Sequence, residues 1–293
     1  MEARLVWPVG ALLGEGPLWR AGEGALWFVD IKGGALHRFH PASGERRTLA
    51  VGGRPSFVVP TDAGGLLVGD GAALRPLEGD RLGAPLASVD MPAHNRTNDA
   101  TVDGAGRLWF GTMDDGETQA TGAVYRFDGA GVTEVGGRCT ITNGPAISPD
   151  GRWLYHVDTL GGAITRFAIG GDRGDGGAAT LAGGERFATI DPADGYPDGV
   201  VTDAEGCLWV ALWGGWGVRR YAPDGRLLAK VDVPCAQVTK IAFGGPDLAT
   251  AYVTTARTGL SEAALADQPD AGGLWAFDAP APGLELPAVR LGA

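Results

Sequence analysis

The sequence predicts an all-β fold, a six-bladed β-propeller with four-stranded antiparallel blades that takes in residues 1–293 as one domain. Three features support this prediction: abundant turn residues, short strands of alternating polarity, and a segment that recurs along the chain. The 50 glycines and 19 prolines fall between short apolar runs. Turn residues placed in this way are typical of many short strands rather than long helices.

The recurring segment is a glycine followed by apolar and aromatic residues, as in 24–30 (Gly-Ala-Leu-Trp-Phe-Val-Asp), 106–112 and 206–211. One anchor residue per copy can be aligned, and there are six: Trp27, Leu67, Trp109, Tyr155, Trp209 and Tyr252. The anchors lie roughly 40 to 54 residues apart, which is about the length of a propeller blade. A β-sandwich or an irregular β domain is the alternative, but neither requires six matched copies.

Two details of the ring follow from the repeats. The chain has no spare linker, so either the start (residues 4–7) or the tail (residues 289–291) is expected to complete a blade that both ends share. Ring closure removes exposed strand edges. The widest spacing is ascribed to a glycine-rich loop at 170–184, placed between the fourth and fifth blades.

Composition excludes several classes of function. A net charge of -11 disfavours binding to nucleic acid or to anionic lipid, both of which require clustered Lys and Arg. Three cysteines without a Cys-x-x-Cys motif argue against a disulfide framework and a thiolate zinc site. The start lacks the pattern of a signal peptide, and no apolar run approaches the ~18 residues of a membrane span. We therefore expect a cytoplasmic protein, a monomer or weak homodimer, without nucleic-acid or membrane partners.

Polar residues recur at one phase of the repeat, 11 or 12 positions before the anchors. They are Glu15, Ser56, Asn98, Asn143, Asp198 and Lys240. A shared offset indicates a shared place in each blade, on the innermost strand. Pseudo-symmetry would then direct these side chains toward the central channel.

Three of these residues, Glu15, Asn143 and Asp198, are oxygen donors followed directly by glycine. Two carboxylates and an amide on one axis would be poorly solvated, and the carboxylates would repel each other, unless a cation lay between them. An all-oxygen ligand set is more typical of Ca²⁺, Mg²⁺, Mn²⁺ or Fe²⁺ than of zinc in a thiolate site. Any one of the three residues taken alone would be better explained as a turn cap. Their common phase favours a metal site.

Several of these motifs resemble the senescence-marker-protein/gluconolactonase family, which includes regucalcin. They include residues 13–19 (Leu-Gly-Glu-Gly-Pro-Leu-Trp), 95–100 (Asn-Arg-Thr-Asn-Asp-Ala), 142–145 (Thr-Asn-Gly-Pro) and 196–199 (Tyr-Pro-Asp-Gly). The similarity runs in order along nearly the whole chain. Residues 107–116 and 211–215 look most like the bacterial pentonolactonase branch, such as xylonolactonase or arabinolactonase.

The resemblance implies a six-bladed propeller with one catalytic divalent metal ion (Ca²⁺, Zn²⁺, Mn²⁺, Mg²⁺ or Fe²⁺) and a sugar lactone as the small-molecule substrate. It implies Glu15, Asn143 and Asp198 as metal ligands, and Arg96 and Asn98 as residues that hold substrate hydroxyls. The family also uses an acid shortly after Gly-Thr-Met. Here that acid is either Asp115 or Glu117, and the departure leaves the choice among xylono-, arabino- and gluconolactone open.

Lactone hydrolysis requires a polarised carbonyl and a positioned water. The metal would act as a Lewis acid or lower the pKa of a bound water. Asp198 is expected to act as general base as well as ligand, with a separate water-activating group as the alternative. A promiscuous arylesterase or organophosphate hydrolase and a non-catalytic calcium-binding propeller are the competing functions. No Gly-x-Ser-x-Gly motif supports a serine nucleophile.

Overall fold

A computed structural model describes residues 1–170 and 179–292 and contains six antiparallel sheets arranged as a six-bladed β-propeller. The predicted fold class is therefore confirmed. Helices in the described ranges are short: two 3₁₀ turns, Ala21–Glu23 and Pro192–Asp194, and one α-helix, α1 (Glu262–Asp267). No helix in these ranges is long and apolar enough to cross a bilayer.

The first strand, β1 (Arg4–Trp7), precedes the first blade. Blade 1 contains β2 (Gly14–Arg20), β3 (Ala25–Asp30), β4 (Ala35–His40) and β5 (Glu45–Ala50). Blade 2 contains β6 (Pro55–Pro60), β7 (Leu66–Asp70), β8 (Ala73–Glu78), β9 (Arg81–Leu82) and β10 (Ala87–Ser88). Blade 3 contains β11 (Asn95–Val102), β12 (Leu108–Asp114), β13 (Gly122–Phe127) and β14 (Val132–Cys139).

Blade 4 contains β15 (Thr142–Ile147), β16 (Trp153–Asp158), β17 (Ala163–Gly170) and β18 (Thr180–Thr189). Blade 5 contains β19 (Tyr196–Thr202), β20 (Leu208–Trp213), β21 (Gly217–Tyr221) and β22 (Leu227–Asp232). Blade 6 contains β23 (Val238–Gly244), β24 (Thr250–Thr255) and β25 (Leu274–Asp278). In each blade the strand that comes first in this order is the innermost one.

The start of the chain, rather than its tail, completes the sixth blade. Strand β1 pairs antiparallel with β25, with Leu5 opposite Trp275, so the first and last strands of the chain share one sheet. The tail instead crosses the end of the channel. There Val289 donates its backbone N–H to Pro60 of blade 2, and Gly283 donates to Leu248 of blade 6.

The prediction that the glycine-rich loop lies between blades 4 and 5 is wrong. Strand β18 begins at Thr180, so the chain from Thr180 onward belongs to the outer strand of blade 4. The predicted loop therefore falls within blade 4, whose strand β17 ends at Gly170 and whose strand β18 begins at Thr180. Residues 171–178 lie outside the described part of the chain.

The anchor residues lie on the second strand of each blade and form the packing between blades. Trp209 of blade 5 is fully buried, and its ring lies 5.9 Å from Phe243 and 5.5 Å from Phe277 of blade 6. The contact with Phe243 is edge-to-face and the contact with Phe277 is tilted, and buried aromatic rings in such contacts contribute large apolar areas. The repeated aromatic therefore seals neighbouring blades against each other.

Buried aspartates connect two of these anchors to the turns before them. Asp203 accepts hydrogen bonds from Trp209 Nε1 (2.9 Å), Arg220 Nε (2.8 Å) and the backbone N–H of Cys207 (3.0 Å). Asp103 makes the equivalent bond to Trp109 Nε1 (2.7 Å) in blade 3. The Asp-x-x-Gly turn thus holds the indole as well as the backbone.

Every innermost strand changes register against its neighbour near its first residues. The shifts fall between Glu15/Leu18, Pro55/Phe57, Thr97/Ala100, Asn143/Ala146, Pro197/Val200 and Val238/Lys240. A β-bulge re-aims the side chains around it and often lies beside an active site. The polar phase of the repeat therefore coincides with a bulge in all six blades.

Candidate metal and substrate site

The three predicted oxygen donors lie at the bulges of three innermost strands. Glu15 is on β2, Asn143 on β15 and Asp198 on β19, and each residue is only 4–6% exposed. Glu15 and Asp198 are close enough for the charge of Glu15 to raise the pKa of Asp198. The structure thus brings together side chains that are far apart in sequence.

Glycines after these donors allow neighbouring innermost strands to approach closely. A Cβ on Gly16 would lie 3.0 Å from Phe57 Cα, and one on Gly199 would lie 2.6 Å from Lys240 Cγ. Gly16 and Gly144 also adopt φ values of +53° and +66°, which other residues rarely adopt. The glycine after each donor is therefore required by the convergence of the blades.

Burial and mutual repulsion shift both carboxyl groups toward the protonated form. Burial raises the pKa of Glu15 to about 8, with a further contribution from the charge of Asp99. Burial also raises the pKa of Asp198 well above its usual value, and the charges of Glu15 and Asp99 add to the rise. A divalent cation between the carboxylates would offset both effects. This donor set fits a hard, oxygen-preferring cation.

No group of three or more His, Cys, Asp or Glu side chains within residues 1–170 and 179–292 is arranged to hold a metal ion. The proposed ligand set contains only two such residues, because its third member is the amide of Asn143. An amide oxygen is an ordinary ligand for Ca²⁺ and Mg²⁺.

A chain of hydrogen bonds connects Arg96 and Asn98 to the predicted ligands. Arg96 Nη1 donates to Asn98 Oδ1 (2.7 Å), and Asn98 Nδ2 donates to Asn143 Oδ1 (2.8 Å). Asn143 Nδ2 donates to Thr159 Oγ1 (3.0 Å). These bonds orient the Asn143 amide, and its oxygen, which has two lone pairs, can still accept a second partner.

Of the two candidate acids, Asp115 contacts the site and Glu117 does not. Asp115 Oδ1 accepts hydrogen bonds from Arg96 Nε (2.9 Å) and Arg54 Nη1 (3.0 Å). Glu117 is exposed with a φ of 58°, and its carboxylate forms no ion pair within the described chain. Arg54 was not expected from the sequence. It lies two residues before Ser56, a member of the polar phase, and that proximity was the only available signal.

Asp99 and Lys240 form a buried ion pair that the sequence did not predict. Lys240 Nζ donates to Asp99 Oδ1, and the residues are only 6% and 1% exposed. Asp99 follows Asn98 but is not itself a member of the polar phase, so the repeat did not select it. Lys240 belongs to the polar phase, but its position in the sequence did not indicate that Asp99 is its ion-pair partner.

A cavity of about 440 Å³ occupies the channel on the other side of this ion pair. Its lining includes Asp99 and Lys240 and the later, largely apolar residues of the innermost strands, but not Glu15, Asn143 or Asp198. Residues 284–287 of the tail close part of its outer end. The polar site and the apolar cavity are therefore separate compartments of one channel.

The raised pKa of Glu15 predicts that the chelated protein loses stability as the pH rises. Folded Glu15 keeps its proton up to about pH 8, whereas the unfolded side chain releases it near its usual pKa of 4.5. The folded state binds more protons in this interval, so the free energy of unfolding falls between these pH values. Glu15→Gln should flatten the fall, measured by urea denaturation with chelator at about pH 5, 6.5 and 8.

A residual fall is expected in that variant because the pKa of Asp198 is raised in the same direction. Glu45→Gln, at an exposed position on β5, is the matched control and should leave the pH dependence unchanged. A Glu15→Gln protein with the full pH dependence would contradict the electrostatic account.

Comparison with known proteins finds a family model, described as SMP-30/Gluconolactonase/LRE-like region, that matches residues 13–257. A 6-deoxy-6-sulfogluconolactonase of Pseudomonas putida is 35% identical over 94% of this chain and 94% of its own length. A pentonolactonase of Haloferax volcanii is 37% identical over 83% of this chain and 81% of its own.

Among solved structures, a calcium-binding regucalcin of Agrobacterium tumefaciens superposes with a TM-score of 0.92. It is 31% identical, and the alignment covers 99% of this chain and 97% of that one. The similarity therefore extends over the whole propeller, including the strands that carry the candidate site.

Proposed function

Because the chain belongs to the SMP-30/gluconolactonase/LRE-like family and is a carboxylic-ester hydrolase of the lactonase type, we propose that it hydrolyses a sugar aldonolactone with the help of one divalent cation. The proposed substrate is a pentono- or hexonolactone and the product is the aldonic acid. The similarity to a pentonolactonase and to a sulfogluconolactonase supports a lactone that carries hydroxyl groups.

One observation carries the proposal. Two buried carboxyl groups with raised pKa values, Glu15 and Asp198, lie at the bulges of the channel, and a hydrogen-bonded chain joins the amide of Asn143 to Arg96. Strongly shifted carboxyl groups inside a channel are typical of functional sites. Glu15, Asn143 and Asp198 would hold the cation, which when bound would act as a Lewis acid toward the lactone carbonyl.

The remaining steps fall to side chains of the chain itself. Asp198, ionised when a cation offsets its burial, would accept a proton from the attacking water. Water adds across the ring ester, the acyl C–O bond breaks, and the ring oxygen leaves as a hydroxyl. Arg96 and Asn98 would orient the substrate hydroxyls, and Asp115 would hold the Arg96 guanidinium in place.

A screen of aldonolactones tests the proposal. The protein is stripped with chelator, and xylono-, arabino- and gluconolactone are offered in turn with a pH indicator, with and without each added divalent ion. We expect acid release that depends on the added ion and is fastest for a sugar lactone. Cation binding without turnover would instead support a non-catalytic calcium-binding propeller, and faster turnover of aryl esters would support an arylesterase.

The hydroxyl-reading role of Arg96 predicts a selective change in KM. Arg96→Ala should raise KM for sugar lactones by about tenfold, since a hydrogen bond to a charged group contributes about 1.5–3 kcal/mol. KM for a γ-lactone without hydroxyls should change much less. Both constants come from initial rates measured over a range of substrate concentrations.

Arg54→Ala is the matched control for this prediction. It removes the other guanidinium that contacts Asp115 but no bond to Asn98. We expect a smaller change in KM than for Arg96→Ala. If Arg96→Ala raises KM equally for lactones with and without hydroxyl groups, Arg96 does not bind the substrate hydroxyls.

A further inference from the structure

The ion pair between Asp99 and Lys240 spans the channel. The innermost strands follow one another around the ring in the order β2, β6, β11, β15, β19 and β23. Asp99 on β11 and Lys240 on β23 therefore come from opposite blades. Lys240 Nζ donates to Asp99 Oδ1 and lies 3.3 Å from the backbone oxygen of Ala100. The lysine thus reaches across the axis beneath the proposed cation site.

Asp99 is not arranged with Glu15 and Asp198 to hold a metal ion in this structure, but its carboxylate has the chemistry of a further ligand. It is only 1% exposed, and its Oδ2 is buried without a hydrogen-bond partner among the described residues. Its charge raises the pKa of both Glu15 and Asp198, so it lies within electrostatic range of the two acidic ligands. A buried carboxylate with an unpaired oxygen would readily join a nearby divalent cation.

We propose that Lys240 is a positioning residue that holds Asp99 away from the cation, so that Glu15, Asn143 and Asp198 remain the only protein ligands. This inference rests on the proposed metal site. The ammonium group and the backbone N–H of Ala100 (2.7 Å) both donate to Asp99 Oδ1, and they hold the carboxylate at the border of the apolar cavity, which Glu15, Asn143 and Asp198 do not line. Coordination positions then stay open for water and for the lactone.

Charge balance supports the same assignment. The carboxylates of Glu15, Asp99 and Asp198, the Lys240 ammonium and one divalent cation together carry no net charge. Arg96 also acts on Glu15 and Asp198, but its guanidinium is paired with Asp115. Loss of the ammonium group would leave Asp99 without a cationic partner, and Asp99 could regain one by binding the cation. An extra carboxylate ligand generally strengthens Ca²⁺-type sites, and here it would also occupy a position that the substrate requires.

The test uses Mn²⁺ as the probe, with free Mn²⁺ measured by electron paramagnetic resonance. Lys240→Met should bind Mn²⁺ at least about tenfold more tightly than the unaltered protein, because a carboxylate joins the site. Water-proton relaxation should report fewer exchangeable waters on the bound ion. Lys240→Arg, which keeps the charge, should stay within about threefold of the unaltered protein. An unchanged or weaker affinity in a folded Lys240→Met protein would overturn the proposal.

A double variant keeps the test decisive if Lys240→Met does not fold. Asp99→Asn combined with Lys240→Met preserves the net charge of the channel. If Asp99 is not a ligand in the unaltered protein, this variant should bind Mn²⁺ within about threefold of it. A much larger loss would show that Asp99 already binds the ion and would refute the role of Lys240.

These outcomes separate the inference from the proposed function. The unaltered protein could hydrolyse lactones and bind Mn²⁺ while the variants do not show the expected Mn²⁺ affinities. That result would refute only the role of Lys240. Unaltered protein that binds no divalent cation would refute the metal site and the inference together.

Discussion

Asp198→Asn should lower kcat for lactone hydrolysis by about 10²–10⁴-fold, the usual contribution of a positioned general base. The substitution keeps the size of the side chain but removes the carboxylate that would accept the proton of water. It also removes a carboxylate that Glu15 and Asp99 repel, so the fold should remain intact. Initial rates on the best aldonolactone and circular dichroism at matched cation concentration check both expectations.

Asp194→Asn is the control for this prediction. Asp194 precedes β19 by two residues and forms an ion pair with Arg219 at 2.9 Å, with about half of its side chain exposed. It lies near Asp198 in sequence but outside the channel, so the rate should change little. A kcat within about threefold of the unaltered protein in Asp198→Asn would show that this residue is not the general base.

Asp203→Ala should destabilise the propeller by about 3 kcal/mol, because it leaves the buried Arg220 with only the largely exposed Glu205 as an ion-pair partner. The same change leaves the indole N–H of Trp209 without its acceptor. Both groups lie at the contact between blades 5 and 6. Urea denaturation gives the free energy of unfolding, and the midpoint should shift without a change in slope.

Asp224→Ala provides a matched turn in the same blade. Asp224 is exposed and accepts one backbone hydrogen bond, from Arg226 at 3.0 Å. Its loss should cost about 1 kcal/mol, the usual net contribution of one hydrogen bond. Similar losses in the two variants would mean that the Asp203 network does not stabilise the blade.

The repeat predicted the fold because each blade must bury the same face. Anchors such as Trp109 and Trp209 mark that face at regular intervals, and the blade period follows from it. The candidate ligands Glu15, Asn143 and Asp198 were selected in the same way, since a shared offset becomes a shared position on the innermost strands. The sequence therefore predicted the repeated architecture and the positions of these three residues within it, while their role stays a prediction.

Features that break the symmetry could not be predicted in this way. Arg54 reaches Asp115 from a neighbouring blade, and Lys240 reaches Asp99 from the opposite one. Such pairs depend on the width of the channel and on side-chain length, and neither is visible in a single blade. The glycine-rich segment 170–184 was assigned to the wrong place for a related reason. Glycine-rich sequence indicates that a strand ends, but it does not indicate which two strands the segment connects.

The pairing of β1 with β25 has a consequence for the order of assembly. Residues 4–7 are synthesised before the other described strands of the propeller, and their partner strand, Leu274–Asp278, is synthesised after them. The contact with the greatest loop-closure cost is therefore also the one that completes the ring, and long-range pairings of this kind form slowly. Until it forms, β25 presents an open edge to other nascent chains. A fusion partner placed directly before Arg4 would crowd this edge, whereas a circular permutant opened between blades would contain the whole sixth sheet in one stretch of chain.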